Sequence, residues 1–325
     1  MKCPGINSRD EGRACVRNVT VFVRSFGERT KDLLIQTLQE MSFVAQVINI
    51  DGLGFEKCLE RVYAEGAHIS VPFLLTVDGD LLTTEPLLKK FIEISIDMME
   101  RNNSLVATYG LAFDKFSQDL RAVGIRLYKV EAMPQFSTLF QLYVKDRGFL
   151  RPEARTHQCM ASQGYEIAEI SSPCALHGFG QFKHDISRTL DLQMRKDPYA
   201  LALWVSRWSS KKGDDEALRF ALSSALRIRF GYMFPRWSRW MAEECISTPC
   251  GNPLCRKSTE YENYERMMRK LALRRPEYNG EARCFVGRYL YRLASYTRKR
   301  MLSLAFLVRA LFFGLRNIDF KKIHR

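Results

Sequence analysis

The sequence predicts an α/β fold, with a mostly parallel sheet, covering helices and a helical carboxy-terminal region. Three observations carry this. Short β-branched runs alternate with helix-length amphipathic stretches through the first third of the chain, at the spacing of strand–helix–strand units. At 325 residues the chain is long enough for one large α/β domain plus an appendage. Hydrophobic residues make up 46% and aromatic residues 12%, which supplies a sizeable core and excludes a mainly disordered chain.

The elements follow in order. Residues 1–17 read as a tail. Val19–Arg24 (VTVFVR) is a β-branched strand, and Glu28–Met41 a helix. A second strand, Val44–Ile50, precedes a second helix, Gly54–Gly66. The third strand, Val71–Val77, ends at Asp78. Residues 85–101 form another helix, and Gly124–Lys129 and Tyr165–Ser171 two further strands. From about Phe182 the pattern is helical nearly to the end, with a boundary near residues 231–258, where Gly, Pro, Cys and Trp cluster. No internal repeat is present. In parallel sheets ligands bind at the carboxyl ends of strands, so Arg24–Arg29, Asp51 and Asp78–Asp80 are the first places to look for chemistry.

The formal charge is +14 and unevenly spread. Residues 286–325 hold ten Lys and Arg against Asp319 alone. Such asymmetry points to an anionic surface. Arg298, Arg309 and Arg316 fall on one side of a helical wheel, with Leu304, Leu311 and Leu315 opposite, the pattern of a helix lying on an anionic membrane. A carboxy-terminal helix packed on the catalytic domain is the other reading. No stretch reaches the roughly 18–20 apolar residues that span a bilayer. The polar amino end lacks the apolar core of an export signal, and nine cysteines then read as reduced thiols in a cytosol. The expected location is cytoplasmic, peripheral on the inner face of the membrane. Cys245, Cys250 and Cys255, with Cys284 as a fourth, lack the two-residue spacing usual for zinc and read as structural thiols rather than a metal site.

Asp78-Gly79-Asp80 directly follows an apolar strand. Two carboxylates one residue apart can hold a hard divalent cation, which then bridges diphosphate oxygens. An Asp-Gly turn leading into a hairpin is the alternative. No G-x-S-x-G, G-x-G-x-x-G or P-loop is present.

Three stretches carry a family resemblance. VTVFVRSFGERT resembles the first strand and turn of GT-A glycosyltransferases, and FLLTVDGDLL resembles the strand ending in their Asp-x-Asp. CALHGFGQFKHDISRTL is similar to a segment of bacterial glycosyltransferases of cell-surface polysaccharide assembly. The resemblance spans roughly residues 19–210, and departs from the family at Gly79 and in the Cys-rich tail. It implies a GT-A-like catalytic domain over residues 18–235 and a helical basic region over 236–325. It implies transfer from a nucleotide-sugar donor to a glycan or lipid-linked acceptor, with Mn²⁺ or Mg²⁺. Asp78 and Asp80 would be the metal pair and His177 a third ligand; a packed histidine is the other reading of His177. Asp185 would take the acceptor proton, or be a helix-surface carboxylate. Arg24 and Arg29 would hold the nucleotide, with Arg29 pairing a first-helix carboxylate as its alternative. Asp51 would bind ribose or uracil, or simply form a loop.

Two other classes compete with this one. Nucleic-acid binding draws on the basic balance and on Trp204, Trp208, Trp237 and Trp240. Against it, strand-end carboxylates repel phosphate without a metal, so nucleic acid is not expected as a partner. A non-catalytic membrane-associated protein that kept the fold is the other.

Overall fold

In the computed structural model, residues 19–116, 119–149, 151–180, 254, 256 and 258–273 are described. They form the expected α/β arrangement. The strands are β1 Val19–Ser25, β2 Val44–Asp51, β3 Phe73–Asp78, β4 Leu81–Leu82, β5 Leu105–Asp114, β6 Asp119–Lys129 and β7 Glu166–His177. The helices are α1 Lys31–Gln39, α2 Phe55–Gly66, α3 Glu85–Arg101, α4 Met133–Tyr143, α5 Pro152–Ser162 and α6 Thr259–Ala272. One seven-stranded sheet has the order β2-β1-β3-β6-β5-β7-β4. The strands β1, β2, β3, β5 and β7 run one way; β6 and the two-residue β4 run against them. The sheet is therefore mostly parallel, as the β-α alternation predicts.

Strand parity explains the two cores. Along β1, Val19, Val21 and Val23 face α1 and α3 together with Leu75, Val77, Ile125 and Leu127. Phe22, Leu74 and Tyr128 face the other way, onto α2, α4 and α5. Burial on both faces is why these strands read as continuous apolar runs. A third cluster joins Leu33, Leu82, Leu87 and Leu176 to Tyr261, Met268 and Leu271 of α6. That helix, from the region read as a basic appendage, thus packs on the α/β body. Ser258 caps it, its Oγ accepting from the Tyr261 amide at 3.2 Å.

The sequence reading missed β5, α4 and α5 and gave β7 only its first half. It also offered a hairpin at Asp78-Gly79-Asp80. The structure excludes the hairpin, because β4 pairs with β7 and not with β3. Asp185, the cysteines from Cys245 to Cys284, the four tryptophans and the basic stretch 286–325 lie outside the described residues. Among the described residues no helix is long and apolar enough to cross a membrane.

The α2/α4/α5 core has an aromatic centre. Phe136 is fully buried, stacks on Tyr63 at 5.5 Å and meets Tyr128 edge-on at 5.2 Å. Phe136→Ala should cost about 3–5 kcal/mol, the usual loss for truncating a fully packed ring, as measured by urea unfolding.

Candidate active site at the carboxyl edge

The ends of β1, β2, β3, β5 and β7 meet at one edge, and two charged clusters stand there. The first lies inside the edge. Parity turns Arg24, Asp78 and Arg126 toward the α5 side of the sheet, with Tyr128. Asp78 Oδ1 accepts from Arg24 Nε at 2.9 Å and lies 2.7 Å from Nη2. Glu153, in the first turn of α5, accepts from Arg24 Nη1 at 2.9 Å and from the Tyr128 hydroxyl at 3.2 Å. Its other oxygen lies 2.8 Å from Arg126 Nη1. His157, one turn further along α5, stands 3.3 Å from the same hydroxyl. Burial would raise the Glu153 carboxyl, but Arg126 and Arg24 prevail and hold it at about 2. Burial pushes His157 down to about 3. At Asp78 burial prevails over Arg24, and the carboxyl is raised.

The second cluster lies beside β4. Pairing of Leu81 with His177 sets Asp80 next to the end of β7. His177 Nε2 lies 3.2 Å from Asp80 Oδ2, and Nδ1 lies 2.5 Å from Oδ2 of Asp114, at the end of β5. Asp114 is fully buried. Burial would lower the imidazole, but the two carboxylates outweigh it and push its pKa to about 10. The Asp80 carboxyl is correspondingly lowered, against its own burial, chiefly by His177.

Glycine at position 79 has a steric cause. A Cβ there would stand 2.8 Å from Ser25 Cβ and 2.8 Å from Glu28 Oε2. The Gly79 amide donates to the Arg24 carbonyl at 2.8 Å, and the Thr30 hydroxyl donates to the Gly79 carbonyl at 2.6 Å. The end of β1 thus clamps the loop that carries both aspartates. Gly124 on β6 makes room for the Asp78 carboxylate; a Cβ there would come within 2.0 Å of it.

The structure sorts the residues read from the sequence. Asp80 and His177 come together. Asp78 is held by Arg24 rather than by the histidine. Arg24, expected on the nucleotide, is 4% exposed, with its guanidinium on Asp78 and Glu153. Arg29 was given a carboxylate on the first helix as its alternative partner; it pairs instead with Glu260 of α6, at 3.0 and 2.9 Å. Asp51 accepts from Ser25 Oγ at 2.5 Å and from Lys31 Nζ at 2.8 Å, and stays partly open to solvent. Asp185 lies outside the described residues. Sequence reasoning missed Glu153, Asp114 and Arg126. Of these only Arg126 carried a signal, the parity it shares with Tyr128 on a strand already read.

Among the described residues no three His, Cys, Asp or Glu side chains are grouped to close round a metal ion. The chain offers a pair instead. Asp80 supplies a hard oxygen, and His177 an imidazole nitrogen whose partner nitrogen is anchored on a buried carboxylate, the usual support for a metal-bound histidine. The carboxylates at Asp80 and Asp114 favour a positive charge on His177. An oxygen and a nitrogen donor could together supply part of the coordination of a divalent cation, with substrate oxygens and water completing it, and not a closed protein cage.

The shifts at His157, Glu153 and His177 change stability in opposite directions on the two sides of neutral pH. Folded His157 stays neutral down to about 3, against an ordinary 6.5. Unfolding takes up a proton between those values, so stability falls as pH drops through that window, by up to about 1.4 kcal/mol per unit. Glu153 adds a further loss between 4.5 and about 2. His177 acts oppositely: its stabilisation is complete below 6.5 and is lost as pH rises toward about 10. Denaturation midpoints measured against pH should show both limbs. His157→Gln should flatten the acid limb and His177→Gln the alkaline one; unchanged limbs would contradict the assignments.

No protein-family model matches the sequence, and no curated protein does. Among solved structures the chain is similar to a mannosyltransferase from Pyrobaculum calidifontis in complex with GDP-Man and Mn²⁺, at 10% identity and a TM-score of 0.40, over 92% of this chain and 87% of that one. It is also similar to 4-diphosphocytidyl-2C-methyl-D-erythritol synthase from Anaerococcus prevotii, at 8% identity and a TM-score of 0.34, over 47% of this chain and 88% of that one. Likenesses this slight carry no activity across.

Proposed function

We propose that the chain is a metal-dependent glycosyltransferase, moving a sugar from a nucleotide-diphosphate donor to a glycan or lipid-linked acceptor at a membrane surface. One observation carries the reading: Asp80 and His177 meet at the carboxyl edge of an α/β sheet, on the loop after β3 and the end of β7. A diphosphate and the carboxylates of Asp78, Asp80 and Asp114 repel each other, so a divalent cation between them would favour donor binding. Asp80 and His177 would hold Mn²⁺ or Mg²⁺, which when bound supplies neutralisation of charge on the leaving nucleotide. Asp114 holds Nδ1 and so keeps Nε2 turned toward Asp80. Arg24 fixes the rotamer of Asp78 and leaves Asp78 Oδ2 over Gly124, at the donor edge. Asp51 offers a carboxylate for ribose at the end of β2. Asp185 would accept the proton from the acceptor hydroxyl. Residues 286–325 would lie on anionic lipid and bring a lipid-linked acceptor within reach.

Calorimetry of UDP and GDP tests the reading. Binding should require Mn²⁺ or Mg²⁺ and should be lost in Asp80→Asn and His177→Ala, and weakened in Asp78→Asn. Equal affinity in EDTA would sink it. Asp114→Asn, which loosens the histidine without removing a ligand, should lower metal affinity about 10–100-fold.

Transfer assays separate the remaining residue. Asp185→Asn should keep donor affinity and lose turnover, as removal of a group that acts only in the transition state does. Unchanged turnover would remove Asp185 from the mechanism.

A further inference from the structure

Six large apolar side chains are exposed among the described residues, and five of them lie in segments at the carboxyl edge. Phe26 follows β1, and Phe55 opens α2 after β2; Leu142 and Tyr143 end α4, and Phe149 precedes α5. These five are between 38% and 56% exposed. Three contacts place them on one rim. The Asp146 amide donates to Glu56 Oε1 at 2.5 Å, setting the α4–α5 loop against the first turn of α2. Arg24, at the end of β1, lies over the Phe55 ring at 5.2 Å. The same arginine holds Glu153, so the first turn of α5 begins at that edge. The loop turns sharply here, with positive φ at Asp146 and Gly148.

Arginines are interleaved with these side chains. Arg147, Arg151 and Arg155 are exposed. Arg155 stacks over Phe149 at 5.6 Å, and Arg147 donates to the Leu142 carbonyl at 2.9 Å. Of the neighbouring acids, Glu60 is paired with Lys145 and Gln141, and Glu56 accepts from the Asp146 amide; Asp146 itself is exposed, and the three arginines outnumber it. We infer that this rim, led by residues 142–149 and 151–155, docks on the surface of an anionic bilayer. Aromatic rings and leucine enter the boundary between headgroups and acyl chains, while guanidiniums remain at phosphate level. Clustered exposed apolar side chains at a functional edge mark a contact surface. The charges choose the occupant: a second copy would bring three more arginines against these three, whereas anionic headgroups complement them. Docked this way, the carboxyl edge faces the lipid. The docking itself is independent of the activity proposed above; only its consequence, access to a lipid-linked acceptor, rests on that reading.

Sedimentation with phosphatidylcholine vesicles, with and without one-third phosphatidylglycerol, tests this on the full chain. The wild type should pellet with the anionic vesicles and lose that binding in high salt. The combined variant Leu142→Ser, Tyr143→Ser, Phe149→Ser should partition about tenfold less or weaker. The combined variant Arg147→Glu, Arg151→Glu, Arg155→Glu keeps all the apolar side chains of the rim and should reduce the preference for phosphatidylglycerol about tenfold, leaving only what residues 286–325 supply. Variants that pellet like the wild type would overturn the inference, and would assign any binding to another part of the chain. A wild type that ignores anionic vesicles, or a dimer that the serine variant dissociates, would overturn it too. UDP and GDP affinity with Mn²⁺, measured on the same samples, keeps the two readings apart: its loss would refute the transferase, and its presence beside failed docking would refute the rim.

Discussion

The buried carboxylate of Glu153 is the constraint on which the candidate site depends. Two arginines, Arg24 and Arg126, reach it from different strands, and the Tyr128 hydroxyl adds a third donor. A charge removed from water is tolerable only when paired and hydrogen-bonded, and an arginine stripped of its carboxylate in the interior is far worse off than an intact pair. The cluster is thus mutually enforcing. It joins β1, β6 and α5, and through Arg24 it reaches Asp78 at the end of β3. The orientation of the Asp78-Gly79-Asp80 loop is set in this way from beneath by groups that a ligand need not touch.

The two aspartates consequently answer to different positive charges. Asp78 belongs to a guanidinium that cannot lose its proton. Asp80 belongs to an imidazolium that can, and under the proposed function a metal ion would take the place of that proton. One carboxylate is thus fixed as part of the framework, and the other is paired with a group that can change its charge. The glycines at 79 and 124 serve the arrangement by absence of bulk. One lets the end of β1 approach the loop, and the other lets a carboxylate lie flat on β6.

Much of the fold was legible because β1 to α3 follow local rules: β-branched runs two sides deep in core, then helical periods, then strand ends with Asp or Arg. What was not legible depended on pairing. β5 (LVATYGLAFD) has small residues and a glycine, and it is a strand because β6 and β7 flank it. β7 continues past Ser171 through Pro173, and a proline there argues locally against a strand. Asp80 was legible from its place after a strand and His177 from resemblance, but their meeting depends on the two-residue β4, which no sequence pattern announces. Glu153 lies 129 positions from Arg24, and nothing local distinguishes it from a helix N-terminal acid. Arg24 is the instructive case. An arginine at a strand end suggests a phosphate, yet its parity with Asp78 on the paired strand β3 places the two side chains on one face of the sheet. Reading register as well as position would have shown it facing a carboxylate.

The same edge must satisfy opposed demands. Its interior is built of buried charge, which needs rigid, fully paired partners. Its rim is built of exposed rings, which cost solvation unless something covers them. These demands are compatible because they are carried by successive residues of the same segments. At the first turn of α5, Glu153 points in to the arginines and Arg155 points out over Phe149. At the start of α2, Phe55 lies over Arg24 while Glu56 receives the neighbouring loop. A helix turn that places one side chain in the ion cluster fixes the next on the rim, so the geometry of the site and the geometry of its surroundings are set by one set of backbone contacts. A displacement of α5 would disturb both together, and this is why the residues least visible in the sequence have the widest reach in the structure.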